Sequence, residues 1–164
     1  MITLATAPSG KFEMNHQPVE TGKPERSRLT DRFSLLDLPK ITDGRGDLTF
    51  VEGLRHIPFE IARVYYLYNV PQSMMRAGHA HYELRQLMIA ISGTFDLHLD
   101  DGFERTVVRL DRPDRGLLLG SMVWREIHAF SPGAVCVVMA SLRYDEADYI
   151  RDYDSFLAAA RSHP

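Results

Sequence analysis

The sequence contains one cysteine, no strong excess of either charge and no long apolar run. Cys136 cannot form an intrachain disulfide, and it lies in the apolar run 134–139, which favours a small buried side chain over a nucleophile. A formal net charge of −3 gives no reason to expect a nucleic-acid partner. No apolar run reaches the length of about 18 residues that a membrane helix needs, and the N-terminus lacks the hydrophobic core of a signal peptide. We therefore expect a soluble cytoplasmic protein that binds neither a nucleic acid polymer nor a membrane.

The composition is that of an ordinary globular domain. Of the 164 residues, 45% are hydrophobic and 25% are charged, and this length suits a single domain with a substantial core. Residues 1–32 mix Pro, Gly, Ser, Thr and charged side chains without a hydrophobic period, which predicts a mobile or accessory N-terminal arm. We expect the folded domain to cover residues 33–164.

Short apolar segments separated by turns predict an all-β fold. Residues 61–70 are rich in β-branched and aromatic side chains, Asp100-Asp101-Gly102 forms a hairpin turn, and residues 134–140 form a continuous apolar strand. From Asp145 onward the apolar residues recur at helical spacing. The pattern indicates a closed antiparallel β-barrel or jelly roll with a short C-terminal helix.

The most informative stretch runs from Arg76 to Gly93. His79 and His81 are two residues apart, so on a strand their rings point to the same face. Imidazole serves either as a metal ligand or as a proton-transfer group near neutral pH. With Gln86 and Gly93, this spacing resembles the first signature of the cupin β-barrels, in which two histidines and a glutamate bind a metal with a later histidine.

The residue types argue against a metal here. Gln86 occupies the glutamate position, and a neutral amide is a poor ligand. Arg125 or Glu126 lies where the later histidine would fall, and His128 would substitute only with a shifted register. Without a metal, the histidines would transfer protons, and Tyr66 or Tyr68 would donate to a developing negative charge.

Three arginines are candidates for holding a phosphorylated or diphosphorylated substrate: Arg45, Arg63 and Arg76. Two alternatives stay open at this point. The His-x-His pair is also compatible with a structural role in the core, and Arg45 with a surface position in a hairpin turn.

Further segments give a specific resemblance to the nucleotide-sugar 3,4-ketoisomerases. The segments that resemble this family are residues 57–66, 76–81, 99–102, 123–124 and 144–153. The resemblance implies a dimeric cupin, without metal or organic cofactor, that converts a dTDP-4-keto-6-deoxyhexose into its 3-keto isomer for deoxyamino-sugar biosynthesis. The N-terminal arm is longer than the family pattern.

The resemblance also implies roles for individual residues. His79 and His81 match the paired catalytic histidines, and Tyr66 matches a tyrosine of the preceding strand. The implied substrate-binding residues are Arg45, Arg63, Arg76, Gln86, Trp124 and Arg125. Arg45, within Asp-Gly-Arg-Gly, resembles an element that related epimerases use against the diphosphate, and some relatives have histidine in place of Arg125.

Isomerisation from a 4-keto to a 3-keto sugar requires a base for the C3 hydrogen, a proton shuttle for the two oxygens and donors to the enediolate. Two other functions remain possible at this point: a dTDP-sugar 3,5-epimerase and a non-catalytic sugar-nucleotide-binding cupin. The sequence leaves open the C4 configuration of the product, the nucleotide base beyond the resemblance, and which histidine is the C3 base.

Overall fold

The computed structural model describes residues 32–162, and the predicted N-terminal arm lies outside this range except for its last residue. Strands predominate, as the alternating sequence pattern predicts. The strands are β1 (Phe33–Asp37), β2 (Lys40–Asp43), β3 (Gly46–Thr49), β4 (Arg63–Leu67), β5 (Arg76–His81), β6 (Gln86–Ser92), β7 (Phe95–Asp100), β8 (Arg105–Leu110), β9 (Arg115–Leu119), β10 (Trp124–His128), β11 (Val135–Ala140) and β12 (Tyr149–Ile150). A 3₁₀ turn (Glu146–Asp148) precedes β12, and helix α1 (Tyr153–Ser162) ends the described chain.

Two five-stranded antiparallel sheets face each other. One has the strand order β1-β9-β6-β11-β4 and the other β12-β5-β10-β7-β8, while β2 and β3 form a separate hairpin. The core lies between the sheets because alternate residues of each strand point inward. On β7, for example, Phe95, Leu97 and Leu99 are all buried.

Strand β6 is apolar over residues 87–91, and both of its faces are covered as far as Ala90. Met88 and Ala90 join the central core, whereas Leu87 and Ile89 pack on the other face against Ile57 and neighbouring residues. Gly93 follows this strand with φ +62°, and an added Cβ would lie 2.6 Å from the Ser131 Oγ. Glycine is therefore required where the His-x-His signature ends.

The C-terminal helix covers the outer face of the second sheet. Phe156 and Ala160 are fully buried, and they pack with Ala80, Trp124 and Ile150. The helix begins only at Tyr153, so the prediction of helical structure from Asp145 onward was too long. Tyr149 and Ile150 instead pair with β5 opposite His81 and Ala80, and this strand pairing overrides their helical spacing.

The prediction of an all-β, cupin-type fold with a short C-terminal helix is confirmed. Within residues 32–162, no helix has both the length and the apolar character needed to cross a membrane.

Candidate active site

Strand β5 carries both histidines toward the space between the sheets. Ala77 and Gly78 adopt φ values of +66° and +78°, and the pairing of β5 with β10 shifts register at this point, so that Arg125 opposes His79 while Glu126 opposes Ala77. Such a bulge redirects the strand next to a site. The His79 and His81 rings lie 4.9 Å apart, centroid to centroid, nearly perpendicular to each other.

The two histidines have different surroundings. His79 lines a cavity of about 480 Å³ that opens between the sheets. His81 is 1% exposed, and its Nδ1 lies 3.0 Å from the Asp148 Oδ2. Its Nε2 is buried without a hydrogen-bond partner among residues 32–162. The Tyr149 ring contacts both imidazoles, with centroids 4.9 Å from His79 and 4.2 Å from His81.

Both imidazoles are neutral at physiological pH. Burial, followed by the positive charge of Arg125, lowers the pKa of His79 to about 4 and that of His81 to about 2. His79, Arg63 and Arg151 lower the pKa of His81 further by electrostatic repulsion of its protonated form. Each ring therefore has a free lone pair on one nitrogen and can accept a proton.

Arg125 is the most unusual residue of the site. Its side chain is fully buried, and none of its three guanidinium nitrogens has a hydrogen-bond partner in the described part of the chain. Burial lowers the pKa of Arg125 to about 10, so it stays cationic at neutral pH. A buried cation without partners is costly, which points to a ligand with negative or developing negative charge.

Tyr65, and not Tyr66, faces the histidines. Consecutive residues of β4 alternate between faces: Tyr65 lines the cavity, whereas Tyr66 is 61% exposed on the outer surface. The structure therefore brings Tyr65, and not the predicted Tyr66, into the cavity with His79. The Tyr65 hydroxyl accepts a 2.8 Å hydrogen bond from the Gln86 Nε2, which leaves its own proton free to donate. Burial raises the pKa of Tyr65 to about 12, so the hydroxyl is protonated.

Several cationic and aromatic side chains surround the entrance of the cavity. Arg63 and Arg76, two of the predicted substrate-binding arginines, line it together with Tyr144, Tyr149 and Arg151. Glu146 accepts hydrogen bonds of 2.7 and 2.9 Å from Arg151, and the Arg151 guanidinium lies 4.4 Å from the centre of the Tyr149 ring. Arg63 contacts the Tyr65 and Tyr144 rings and keeps a buried Nε without a partner among the described residues.

Two of the predicted substrate-binding residues lie outside the cavity. Trp124 points away from Arg125 by strand alternation, and it packs against Tyr153 and Phe156 while its Nε1 donates to Glu126. Trp124 is therefore a core residue under α1. Arg45 occupies the turn of the β2–β3 hairpin, where it is exposed and pairs with Asp43 at 2.6 Å. It does not line the cavity of its own chain.

The sequence analysis did not identify the site residues contributed by segment 144–151. Tyr144, Asp148, Tyr149 and Arg151 reach the site because β12 pairs with β5. The one signal for them was the resemblance of this segment to the ketoisomerases, which carried no assignment of roles.

The residues at the cupin metal positions do not fit a metal ion. Gln86 is buried and bonded to Tyr65, and the cationic Arg125 opposes His79, where it would repel a metal. Throughout residues 32–162, no three His, Cys, Asp or Glu side chains are grouped so that they could hold one. Cys136 is also excluded as a nucleophile, because burial raises the pKa of its thiol to about 12.

Residues 31–161 match the family described as FdtA: WxcM-like, C-terminal. The chain belongs to this family. It is 43% identical over 122 residues to the TDP-4-oxo-6-deoxy-alpha-D-glucose-3,4-oxoisomerase of Aneurinibacillus thermoaerophilus, a match that spans 74% of this chain and 88% of that protein.

Solved 3,4-ketoisomerase structures share the fold of this family member. A histidine-to-asparagine mutant of QdtA from Thermoanaerobacterium thermosaccharolyticum, in complex with TDP-4-keto-6-deoxyglucose, matches with a TM-score of 0.80 and 37% identity, over 82% of this chain and 98% of the other. The WlaRB TDP-quinovose 3,4-ketoisomerase of Campylobacter jejuni matches with a TM-score of 0.76 and 43% identity, over 79% and 99%. Two sugar epimerases match with TM-scores of 0.64 and 0.62, but at 14% and 16% identity that likeness shows the fold alone.

Proposed function

We propose that this protein is a cofactor-free, cytoplasmic 3,4-ketoisomerase that moves the carbonyl of a TDP-linked 4-keto-6-deoxyhexose from C4 to C3. The relatives at 37–43% identity carry this activity in their names. The observation that carries the proposal is a pair of neutral imidazoles in contact, one of which lines the cavity, beside a buried arginine without a hydrogen-bond partner among residues 32–162. The 3,5-epimerase alternative has support from distant structural likeness alone, and the site chemistry argues against a purely binding cupin.

His79 is the base for the C3 hydrogen in this proposal. It is the histidine at the cavity wall, whereas His81 lies deeper and is 1% exposed. The carbonyl at C4 acidifies the C3 hydrogen, and the neutral imidazole takes this proton while the electron pair forms the C3–C4 double bond. The C4 oxygen becomes an enediolate oxygen. The imidazolium then returns its proton to C4, which completes the transfer of hydrogen between the two carbons.

The two oxygens exchange a proton in the same cycle. The proton on O3 must leave and O4 must gain one, so that the carbonyl appears at C3 and a hydroxyl at C4. Tyr65 has a free hydroxyl proton to donate to the developing oxyanion, and the Arg125 guanidinium stabilises its charge. His81 is the second proton carrier, because its Nε2 has no partner among the described residues.

The cations at the entrance fit the diphosphate of the substrate. Arg63 and Arg76 line the same cavity as His79, and charge-assisted hydrogen bonds from guanidinium groups suit phosphate oxygens. Tyr144 and Tyr149 offer aromatic faces in the same region. We assign the TDP group to this mouth and the sugar ring to the interior.

Proton NMR of TDP-4-keto-6-deoxyglucose incubated with the purified protein tests the proposal directly. We expect the 3-keto isomer to form, with solvent deuterium at C4 when the reaction runs in D₂O and the base exchanges its proton. An epimerase would instead leave the carbonyl at C4 and exchange the hydrogens at C3 and C5. Bound but unchanged substrate would indicate a binding protein and contradict the proposal.

His79→Asn and His81→Asn are the matched variants for this assay. Asparagine keeps polarity and part of the shape but does not act as a base, so each variant should retain fold and substrate binding while losing about 10²- to 10⁴-fold in rate. Wild-type rates in both variants would show that the pair is structural.

Treatment of the wild-type protein with a chelator tests the metal-free mechanism. We expect the rate to be unchanged after extensive treatment. A stoichiometric metal whose removal abolishes the activity would contradict this mechanism.

A further inference from the structure

Asp148 is the only acidic side chain in the described chain whose carboxylate reaches a site histidine. Its Oδ2 lies 3.0 Å from the Nδ1 of His81, and the pair is shielded from solvent, with side-chain exposures of 12% and 1%. The carboxylate is itself fixed, because its Oδ1 accepts the backbone N–H of Glu83 at 2.7 Å and its Oδ2 that of Leu84 at 3.3 Å. An oxygen held in this way can only accept from the imidazole.

The acceptor role of Asp148 determines the tautomer of His81. A neutral imidazole carries one proton, and an ionised carboxylate at Nδ1 requires that proton to be on Nδ1. The Nε2 then carries the lone pair. This nitrogen is buried and has no hydrogen-bond partner within residues 32–162, so its lone pair is unsatisfied until a substrate oxygen reaches it.

We infer that Asp148 is a positioning residue that holds His81 as the Nδ1–H tautomer, with Nε2 as an unoccupied proton acceptor. The inference rests on the proposed function, in which His81 carries the proton that moves between O3 and O4. In that step Nε2 accepts the proton from one oxygen and returns it to the other, while Nδ1–H remains bonded to Asp148. The carboxylate accepts the Nδ1–H hydrogen bond throughout and stabilises the transient imidazolium.

Asp148→Asn separates this role from simple packing. An asparagine that keeps its carbonyl oxygen on the Glu83 N–H, the shorter of the two backbone bonds, gives up the 3.3 Å bond from the Leu84 N–H. Its amide group then faces His81 as a donor. The imidazole must accept at Nδ1, so its proton moves to Nε2 and the free acceptor is lost. The matched control is Asp145→Asn in the same turn, where the exposed side chain caps the backbone N–H of Ala147 at 3.0 Å and asparagine caps equally well.

The first measurement is ¹⁵N NMR of the histidine side chains in the free, full-length protein at neutral pH. In the wild type and in Asp145→Asn, His81 should show a protonated Nδ1 and an unprotonated Nε2. In Asp148→Asn the two nitrogens should exchange these states. A protonated Nε2 in the wild type would overturn the inference, whatever the activity of the protein proves to be.

The second measurement is a double-mutant cycle with TDP-4-keto-6-deoxyglucose as the substrate. Asp148→Asn should lower kcat by about 10²-fold or more with KM changed only a few-fold, whereas Asp145→Asn should stay within about 2-fold of the wild type. In the His81→Asn background, Asp148→Asn should cost little further. A loss that multiplies onto that of His81→Asn would show that Asp148 acts structurally and not through His81.

Discussion

The buried guanidinium of Arg125 controls the charge of the groups around it. Its charge is the second-largest influence, after burial, that lowers the pKa values of His79 and His81. Because a base must be neutral before it accepts a proton, the same cation that stabilises an enediolate also keeps the bases ready. No hydrogen-bond partner in residues 32–162 compensates this charge. The free energy of burying it must therefore be offset by stabilising interactions elsewhere in the fold.

Arg125→Met should therefore reduce activity without reducing stability. Removing an uncompensated buried cation in favour of an apolar side chain of similar length is neutral or stabilising, so the melting temperature should stay equal or rise. The rate should fall by about 10²-fold or more because the oxyanion loses a charged partner. The pKa of His79, followed by NMR titration, should move up from about 4 toward 6.5. The control is Arg109→Met on β8, where the side chain is 60% exposed. A lower melting temperature in Arg125→Met but not in this control would show that Arg125 has a structural role.

The pH dependence of the wild type follows from the same pKa values. His79 has a pKa of about 4 in the folded protein, against about 6.5 in the unfolded chain. Between these values the unfolded chain binds more protons, so stability falls as the pH drops from 6.5 toward 4. The profile of kcat/KM should show no inflection near pH 6.5, and its acid limb should lie below pH 6. An inflection at 6.5 would mean that His79 is not shielded in this way.

Tyr65→Phe and Tyr66→Phe form a matched pair on adjacent residues of β4. Tyr65→Phe removes a donor to the oxyanion, and we expect a loss of about 10²- to 10³-fold in kcat. It also leaves the buried Gln86 amide without its acceptor, at about 1–3 kcal/mol of stability. Tyr66→Phe should change neither kcat in the isomerase assay nor the free energy of unfolding appreciably. The opposite order of effects would restore the sequence-based assignment of Tyr66.

At the scale of the elements, strand alternation explains which of the predicted side chains face the interior. Arg63 and Tyr66 have opposite parity on β4, as Trp124 and Arg125 have on β10, so a regular strand cannot direct both members of either pair into one cavity. The structure places Arg63 and Arg125 inward and Tyr66 and Trp124 outward. The sequence predicted the strands and the shared face of the histidines, but it carried no independent marker of which face was interior on those two strands.

The region from Asp145 to Ile150 was the hardest to predict because its local pattern and its tertiary pairing disagree. Helical spacing of apolar residues suggested a continuous helix, yet β12 forms by pairing with β5. Asp148 reaches His81 through this pairing, across 67 residues of sequence. Long-range contacts of this kind leave no periodic signal in the sequence.

Helix α1 should be energetically essential for this arrangement. Phe156 is completely buried, at 0% exposure, and its ring packs against those of Trp124 and Tyr153. Phe156→Ala should lower the free energy of unfolding by about 3–5 kcal/mol because a large cavity remains. Denaturant titration measures this, with Ala158→Lys at an exposed position of the same helix as the control, expected within about 0.5 kcal/mol of the wild type. A loss below about 1 kcal/mol for Phe156→Ala would show that the helix is dispensable.

At the scale of the whole molecule, an apolar surface on the first sheet indicates self-association. Val64, Tyr66, Tyr68 and Ile91 are between 49% and 61% exposed on its outer face, and contiguous apolar patches of this kind mark interaction sites. The neighbouring β2–β3 hairpin pairs only with itself within residues 32–162 and exposes Ile41 and Leu48. We expect a homodimer, of twice the 18.7 kDa chain mass, in light scattering.

Two glutamate substitutions at equally exposed valines test this interface. Val64, on the apolar face, is 57% exposed, and Val107, on β8 of the other sheet, is 56% exposed. Val64→Glu should give a monomer, because it places a charge in a desolvated contact, whereas Val107→Glu should remain dimeric. A wild-type monomer with full activity at micromolar concentration would contradict the prediction.

A dimer of this kind would give Arg45 a contact with substrate that its own chain does not provide. Arg45 is at the tip of the exposed hairpin and does not line the cavity of its own chain, so contact with the diphosphate requires the hairpin of a second copy to reach that cavity. In the dimer, Arg45→Ala should weaken TDP binding by roughly one to two orders of magnitude, equivalent to about 1.5–3 kcal/mol for a charged hydrogen bond. Calorimetry in the Val64→Glu background should then show no further effect of Arg45→Ala, because the partner hairpin is absent. Equal losses in both backgrounds would place Arg45 at the cavity of its own chain, and no loss in the dimer would leave it as a surface residue paired with Asp43.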